Sequence, residues 1–249
     1  MKIKGILFDK DGTLIDFFEI WGKALYPVVD GLLEENGWTD VEGLRKTILE
    51  GLGVYEDGTI DPEGAFAWMT YDMSASYLAE ILEKNGITGV EKDALKEQLI
   101  RGFYKESCAQ RTEYPVFTDV KKMMERIRNM GILVGIATTD EFQSTKSCME
   151  VLGIDSLISF YGTAEGDMPE KPDGRLIAMA AEKWGIKTCE IAVVGDTPND
   201  MRFAGNGGAV AIGVLSGTGK RKDLEGLSDY VIDSVDDLVP LLYKIDKEC

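Results

Sequence analysis

The stretch Ile6–Asp16 reads ILFDKDGTLID and places two carboxylates, Asp9 and Asp11, directly after a run of apolar residues. A continuous apolar run of this kind is typical of a strand buried on both faces of a parallel sheet. The segment Asp9–Gly12 is compatible with a simple turn, since Asp and Gly are common in turns. Paired carboxylates at the end of a buried strand are also typical of a reactive site. The residues at the ends of the other predicted strands decide between a turn and such a site.

Two further apolar runs end in polar residues. ILVGIATTD, residues 132–140, ends with Thr138 and Thr139, and EIAVVGD, residues 190–196, ends with Asp196. Shorter candidate strands are LISFYG, AVAIGVL and DYVID. Helical segments separate them: residues 119–130, with Thr118 as the expected N-cap, residues 173–184, and residues 235–246. This alternation predicts an α/β fold with a doubly wound, Rossmann-like parallel sheet.

Residues from about 17 to 111 break the alternation and contain several amphipathic helical segments in succession. They predict an all-helical cap domain inserted into the sheet domain. We expect residues 1–15 and 113–249 to form the core and residues 16–112 to form the cap.

The overall composition excludes several classes of function. The chain has 249 residues and a formal net charge of −17, which argues against a nucleic acid or an anionic membrane as partner. It contains no histidine, which excludes Ser-His-Asp and Cys-His catalysis and histidine-ligated metal sites. The four cysteines are scattered without a CxxC pair, so neither a disulfide framework nor a zinc site is indicated.

No apolar stretch approaches the roughly 20 residues that span a bilayer. The apolar run near the N-terminus is also too short for a signal peptide. We therefore expect a cytoplasmic protein without a membrane partner. As a separate expectation, the protein is a monomer or a homodimer.

The polar residues that follow the strands should meet at one edge of the sheet, because ligands of open α/β sheets bind beyond the carboxyl ends of the strands. The motifs in chain order are DKDGTL, ATT, EKPDG and GDTPND. Each motif is weak alone; Thr138 as a strand-end hydroxyl, Lys171 as a solvated lysine and GDTPND as a helix cap are all reasonable. Four such coincidences in this order favour a functional site.

These four motifs resemble those of the haloacid dehalogenase superfamily. The likeness is to its phosphatase branch with a helical cap, similar to phosphoglycolate phosphatases. It implies a Mg²⁺-dependent phosphatase acting on a small phosphate ester, with 2-phosphoglycolate as the leading candidate. In that family the first aspartate, here Asp9, attacks phosphorus to form an aspartyl phosphate. The second, here Asp11, protonates the leaving oxygen and then activates water.

The resemblance also assigns the remaining site residues. Thr138 and the neighbouring Thr139 would bind the phosphate. Lys171 would balance the charge of nucleophile and phosphate, with Pro172 in the first turn of the following helix. Mg²⁺ would be held by a set of four aspartates, in which Asp11 contributes its backbone carbonyl: Asp9, Asp11, Asp196 and Asp200.

Two alternatives stay open. A sugar phosphomutase of the same superfamily uses the same two aspartates, and a non-catalytic phosphate- or metal-binding regulator could share the fold. The segment Ser216–Lys220, SGTGK, has a partial likeness to a phosphate-binding P-loop, but the first glycine and the final Ser or Thr of that motif are missing. We expect it to be a surface loop.

Overall fold

The apolar run that precedes Asp9 forms the strand Gly5–Phe8 in the middle of a six-stranded parallel sheet. The protein is described here from a computed structural model that covers residues 2–61, 63–108 and 111–247. Two compact units make up the chain: Met1–Phe17 with Thr112–Cys249, and Phe18–Arg111. None of the described helices combines the length and the apolar character that crossing a membrane requires.

The sheet lies in the first unit and has the strand order β3-β2-β1-β4-β5-β6. The strands are β1 Gly5–Phe8, β2 Leu133–Ala137, β3 Phe160–Gly162, β4 Ile191–Gly195, β5 Val210–Val214 and β6 Tyr230–Ile232. Phe8 pairs with Ile136 on one side and with Val194 on the other, so Asp9 emerges between the ends of β2 and β4. This is the order of a doubly wound Rossmann-like sheet, whose direction of winding reverses beside β1. The predicted fold class is confirmed.

The second unit consists mainly of α-helices. They are α1 Lys23–Asn36, α2 Leu44–Gly51, α3 Ala65–Trp68, α4 Tyr71–Lys84 and α5 Lys92–Phe103. Two π-helical turns, Phe18–Gly22 and Tyr104–Cys108, flank this set. Its apolar core includes Phe103, whose ring packs against those of Trp21 and Tyr71 at centroid distances of 5.4 and 5.9 Å.

The described residues of the first unit form the α-helices α6 Val120–Asn129, α7 Phe142–Val151, α8 Arg175–Trp184, α9 Pro198–Gly207, α10 Arg221–Leu224 and α11 Leu238–Lys247. Ile6, Leu7 and Phe8 of β1 are all completely buried. Because successive side chains of a strand point to opposite faces, both faces of the sheet are covered at β1. Leu7 shares its apolar cluster with Ile177 of α8 and Phe203 of α9.

Two expectations about helix starts are wrong. Helix α6 is capped by Asp119, whose side chain accepts a hydrogen bond from the Lys122 N–H, whereas Thr118 donates its hydroxyl to Asp236. Helix α8 begins at Arg175, so Pro172 precedes the first turn instead of lying within it; the Lys171–Pro172 peptide bond is cis. The segment that carries Lys171 is instead attached to α9, because Asn206 donates from its side chain to the Pro172 carbonyl at 2.9 Å.

Two glycines provide a matched test of the contact between α8 and α9. A Cβ atom on Gly174 would lie 2.5 Å from the Asn206 carbonyl carbon, a backbone atom that cannot move aside independently. A Cβ atom on Gly205, within α9, would meet nothing within 4 Å. We expect Gly174→Ala to lower the free energy of unfolding in urea by about 1–3 kcal/mol. Gly205→Ala should raise it by up to about 1 kcal/mol through helix propensity. Equal effects would contradict this description of the helix contact.

Candidate active site

Three aspartates and one lysine meet at the carboxyl ends of β1 and β4. Asp9 follows β1, Asp196 follows β4, and Asp200 lies in the first turn of α9. One carboxylate oxygen from each lies within 4.8 Å of the others, and all three residues are buried. The Lys171 Nζ donates to Asp9 Oδ1 and to Asp200 Oδ1, both at 2.6 Å. Four of the residues predicted for the site are therefore brought together.

Local structure holds Asp200 in place. Thr197 is the N-cap of α9 and forms a capping box with Asp200, in which the Thr197 N–H donates to Asp200 Oδ2 at 3.0 Å. The Thr197 hydroxyl donates to the same oxygen at 2.6 Å. Asp200 therefore takes part in the N-terminal cap of α9, as the helix-cap interpretation of GDTPND predicts. It also lies in the charged cluster.

Asp196 is held by a loop that had been expected to lie on the surface. Thr218, in the segment Ser216–Lys220, donates from its N–H to Asp196 Oδ2 at 2.8 Å and from its hydroxyl to the same atom at 3.2 Å. A side chain at Gly217 would overlap the Asp196 carboxylate. Ser216 donates to the Gly12 carbonyl at 2.8 Å, which links the loop to the DKDG turn. The surface-loop expectation is wrong, since the loop follows β5 and its residues contact the functional edge of the sheet.

The charges in this cluster do not balance. With all three carboxylates ionised, the cluster and its one ammonium would carry two excess negative charges in a buried environment, which is unfavourable without a further cation. Burial raises the pKa of Asp9 well above its usual value, although the Lys171 ammonium opposes this change. Burial, followed by the nearby Asp200 charge, raises the pKa of Asp196 to about 7. Burial alone would lower the pKa of Lys171, but Asp200 and Asp9 outweigh it, so the lysine stays charged.

This donor set fits a divalent cation such as Mg²⁺. Its atoms are hard carboxylate oxygens, and its excess of two negative charges matches the charge of the ion. Asp9, Asp196 and Asp200 could each supply one ligand oxygen. Asp200 accepts hydrogen bonds at both of its oxygens, so a metal bound to it would share an oxygen with Lys171 or with Thr197.

The carboxylate of Asp11 points to a second lysine. Lys10 is 2% exposed, and its Nζ lies 3.0 and 2.8 Å from the two Asp11 oxygens and 3.0 Å from Asp140 Oδ2. Asp140 in turn accepts from the Ser144 hydroxyl at 2.7 Å and from the Glu141 N–H at 2.8 Å. Burial would lower the pKa of Lys10, but Asp11 and Asp140 raise it well above its usual value.

Lys10 and Asp140 are partners in the structure that no motif of the sequence predicts. Asp140 could have been noticed, because it directly follows ATT at the end of β2. Nothing in the sequence indicates that a lysine between two aspartates is buried against a residue 130 positions away.

The two threonines after β2 differ in their surroundings. Thr138 is buried; its N–H donates to the Gly162 carbonyl at 2.9 Å, and its hydroxyl oxygen accepts from the Asp140 N–H at 3.2 Å. The hydroxyl hydrogen of Thr138 is therefore the group that this residue can offer to an anion. Thr139 is partly exposed at the same strand end.

The Asp196 pKa gives a test of the cluster in the absence of metal. A folded-state pKa of about 7 lies above the unfolded value of 3.8, so the protonated form stabilises the fold and this contribution is lost as the pH rises. In chelator, wild type should lose about 1–3 kcal/mol of unfolding free energy relative to Asp196→Asn between about pH 4 and 7. Urea denaturation at several pH values measures the difference. If the difference in unfolding free energy between wild type and Asp196→Asn has already reached its full size at pH 4, ionisation of the buried Asp196 is not its cause.

Comparison with known proteins identifies the family to which the chain belongs. Residues 3–208 match the family of haloacid dehalogenase-like hydrolases. A phosphoglycolate phosphatase from Vibrio parahaemolyticus is 26% identical over 96% of each chain. Pyrophosphatase PpaX from Bacillus mycoides is 24% identical over 98% of this chain and 99% of its own. The crystal structure of β-phosphoglucomutase from Clostridium difficile superposes with a TM-score of 0.69 at 15% identity, covering 99% of this chain and all of its own, which shows a shared fold.

The match extends over most of the chain and includes the segments that carry Asp9, Thr138, Lys171 and Asp196. The protein is thus a hydrolase that belongs to the haloacid dehalogenase-like hydrolase family.

Proposed function

We propose that the protein is a Mg²⁺-dependent phosphatase that hydrolyses a small phosphorylated metabolite through an aspartyl phosphate on Asp9. The observation that carries this proposal is the contact of Lys171 with Asp9 and Asp200, beside Asp196, at the carboxyl ends of β1 and β4. The unit Met1–Phe17 with Thr112–Cys249 would be the catalytic core, and Phe18–Arg111 would be the cap.

Asp9 would act as the nucleophile. Its Oδ1 accepts a hydrogen bond from Lys171, which orients the carboxylate and leaves Oδ2 to attack phosphorus. The new Oδ2–P bond forms as the P–O bond of the ester breaks, and the electron pair stays on the leaving oxygen. Lys171 stabilises the negative charge that develops on the phosphoryl group. A divalent cation held by Asp9, Asp196 and Asp200 would supply further positive charge when bound.

Asp11 would move the proton in both halves of the reaction. It gives a proton to the leaving oxygen in the first half and takes one from water in the second, when water attacks phosphorus and the bond to Asp9 breaks. Thr138 would donate its hydroxyl hydrogen to a phosphoryl oxygen, and Thr139 would contribute at the more exposed side of that position. Each group then has a separate task.

The substrate class rests on relatives. Phosphoglycolate phosphatases from several bacteria match almost the whole chain, which supports 2-phosphoglycolate as the first candidate. The similarity to PpaX adds inorganic pyrophosphate as a compound to test. We further propose a cytoplasmic location and a monomeric or homodimeric assembly.

Phosphate release from a panel of compounds tests the activity. The panel contains 2-phosphoglycolate, hexose phosphates and pyrophosphate, each with Mg²⁺ and with chelator. We expect release that requires the metal, and a fall in kcat of at least about a thousandfold in Asp9→Asn, because the nucleophile is lost. Asp155→Asn, which removes an ion-paired carboxylate elsewhere in the same unit, is the matched control and should keep most of the activity.

The alternatives predict other outcomes in this assay. Isomerised sugar phosphates without release of phosphate would identify a mutase, and binding without turnover of any compound would identify a regulator. Undiminished release by Asp9→Asn would exclude the covalent mechanism.

Metal binding is tested separately from activity by thermal unfolding. A ligand that binds only the folded state stabilises it, so millimolar Mg²⁺ should raise the Tm of wild type in proportion to the logarithm of its concentration. Asp196→Asn should lose most of this increment, since one ligand and one excess charge are removed. Asp173→Asn changes an aspartate that pairs with Arg175 on the surface and should retain the increment. An equal increment in all three proteins would exclude the proposed metal site.

A further inference from the structure

The buried Lys10 connects Asp11, the proposed acid–base residue, to other parts of the unit that contains the sheet. Its ammonium lies between Asp11 and Asp140, within 3.0 Å of both carboxylates. A lysine is rarely buried to this extent unless it is paired, and here both partners are acidic. The lysine therefore keeps its positive charge directly beside Asp11.

Asp140 forms the fixed end of this connection. Its Oδ2 accepts from the Ser144 hydroxyl, its Oδ1 accepts from the Glu141 N–H, and its own carbonyl accepts from the Ala164 N–H at 3.1 Å. These contacts tie Asp140 to the start of α7 and to the segment after β3. Through Lys10, the position of Asp11 depends on elements on the far side of β2.

We infer that Lys10 is a positioning residue for proton transfer: its contacts with Asp11 and Asp140 hold the Asp11 carboxyl group at the position from which a proton passes to the leaving oxygen. This inference rests on the proposed function, in which Asp11 is the acid. Proton transfer depends steeply on the distance and orientation of the acid, so a displaced Asp11 would slow this step.

The requirement for an acid depends on the leaving group, and this dependence separates positioning from a structural role. An alkoxide leaves poorly without a proton, whereas p-nitrophenolate is stable as an anion. We compare kcat/KM for the best alkyl phosphate of the panel with kcat/KM for p-nitrophenyl phosphate. This parameter reports the steps up to transfer of the phosphoryl group to Asp9 and is insensitive to the later hydrolysis.

In Lys10→Met we expect kcat/KM to fall about 10- to 100-fold for the alkyl ester and less than about threefold for p-nitrophenyl phosphate. Asp11→Asn should show the same selective loss. The double variant Lys10→Met/Asp11→Asn should be no worse than Asp11→Asn alone, because Lys10 acts through Asp11. Lys146→Met, which removes a lysine paired with Asp155, is the matched control. It should leave the ratio of kcat/KM for the alkyl ester to kcat/KM for p-nitrophenyl phosphate unchanged.

Two further variants separate stability from positioning. Lys10→Met/Asp140→Asn removes the cation together with one carboxylate, so it should unfold at a higher temperature than Lys10→Met and still show the selective loss. Lys10→Arg keeps the cation, so its ratio should stay within about threefold of wild type even where its Tm is lower. Recovery of the alkyl-ester activity together with Tm in the double variant would show a structural role and overturn the inference.

Failure of the inference differs from failure of the proposed function. Equal losses on both esters in Lys10→Met, or additive losses with Asp11→Asn, overturn the positioning role while the phosphatase stands. Wild type that releases no phosphate from either ester overturns the proposed function and the inference together.

Discussion

The burial of three carboxylates around a single ammonium is the constraint on which the rest of the site depends. Asp9, Asp196 and Asp200 lie within 4.8 Å of one another, with Lys171 bound to two of them. Such a group is unfavourable unless every lone pair and charge is compensated. The Thr197 cap and the Thr218 loop donate hydrogen bonds to the Asp200 and Asp196 carboxylates, which satisfies lone pairs but does not neutralise charge. The excess of negative charge that remains would favour a divalent cation at this position.

The site contains two buried lysines in equivalent surroundings. Lys171 lies between Asp9 and Asp200, and Lys10 lies between Asp11 and Asp140. Each ammonium therefore joins one carboxylate of the DKD motif to a carboxylate held by other hydrogen bonds. The two functional aspartates are two residues apart in the chain but are held by separate networks. Under the proposed mechanism, this separation would allow one carboxylate to serve as nucleophile and the other to move protons, since their surroundings differ.

The type of reaction and the identity of the substrate depend on different parts of the molecule. In the proposed mechanism, the charged residues at the carboxyl ends of β1 and β4 would provide the groups for phosphoryl transfer, and they lie within the segment that matches the hydrolase family. Relatives of similar length carry the names phosphoglycolate phosphatase and pyrophosphatase. A fold of this type hosts many activities, and the residues of the site, not the fold, decide which one is present.

The sequence by itself determined the parallel sheet, its six strands and the aspartates at the ends of β1 and β4, because buried strands are recognised from continuous apolar runs and ligands bind at their carboxyl ends. It also indicated Lys171, through the EKPDG motif. Tertiary structure alone decided that Lys10 is buried against Asp140 and that the Ser216–Lys220 loop holds Asp196. These contacts join residues 130 and 22 positions apart, and neither apolar periodicity nor motif spacing records which loops meet at a sheet edge. Strand order decides which loops meet, because β2 lies beside β1 and β5 lies beside β4.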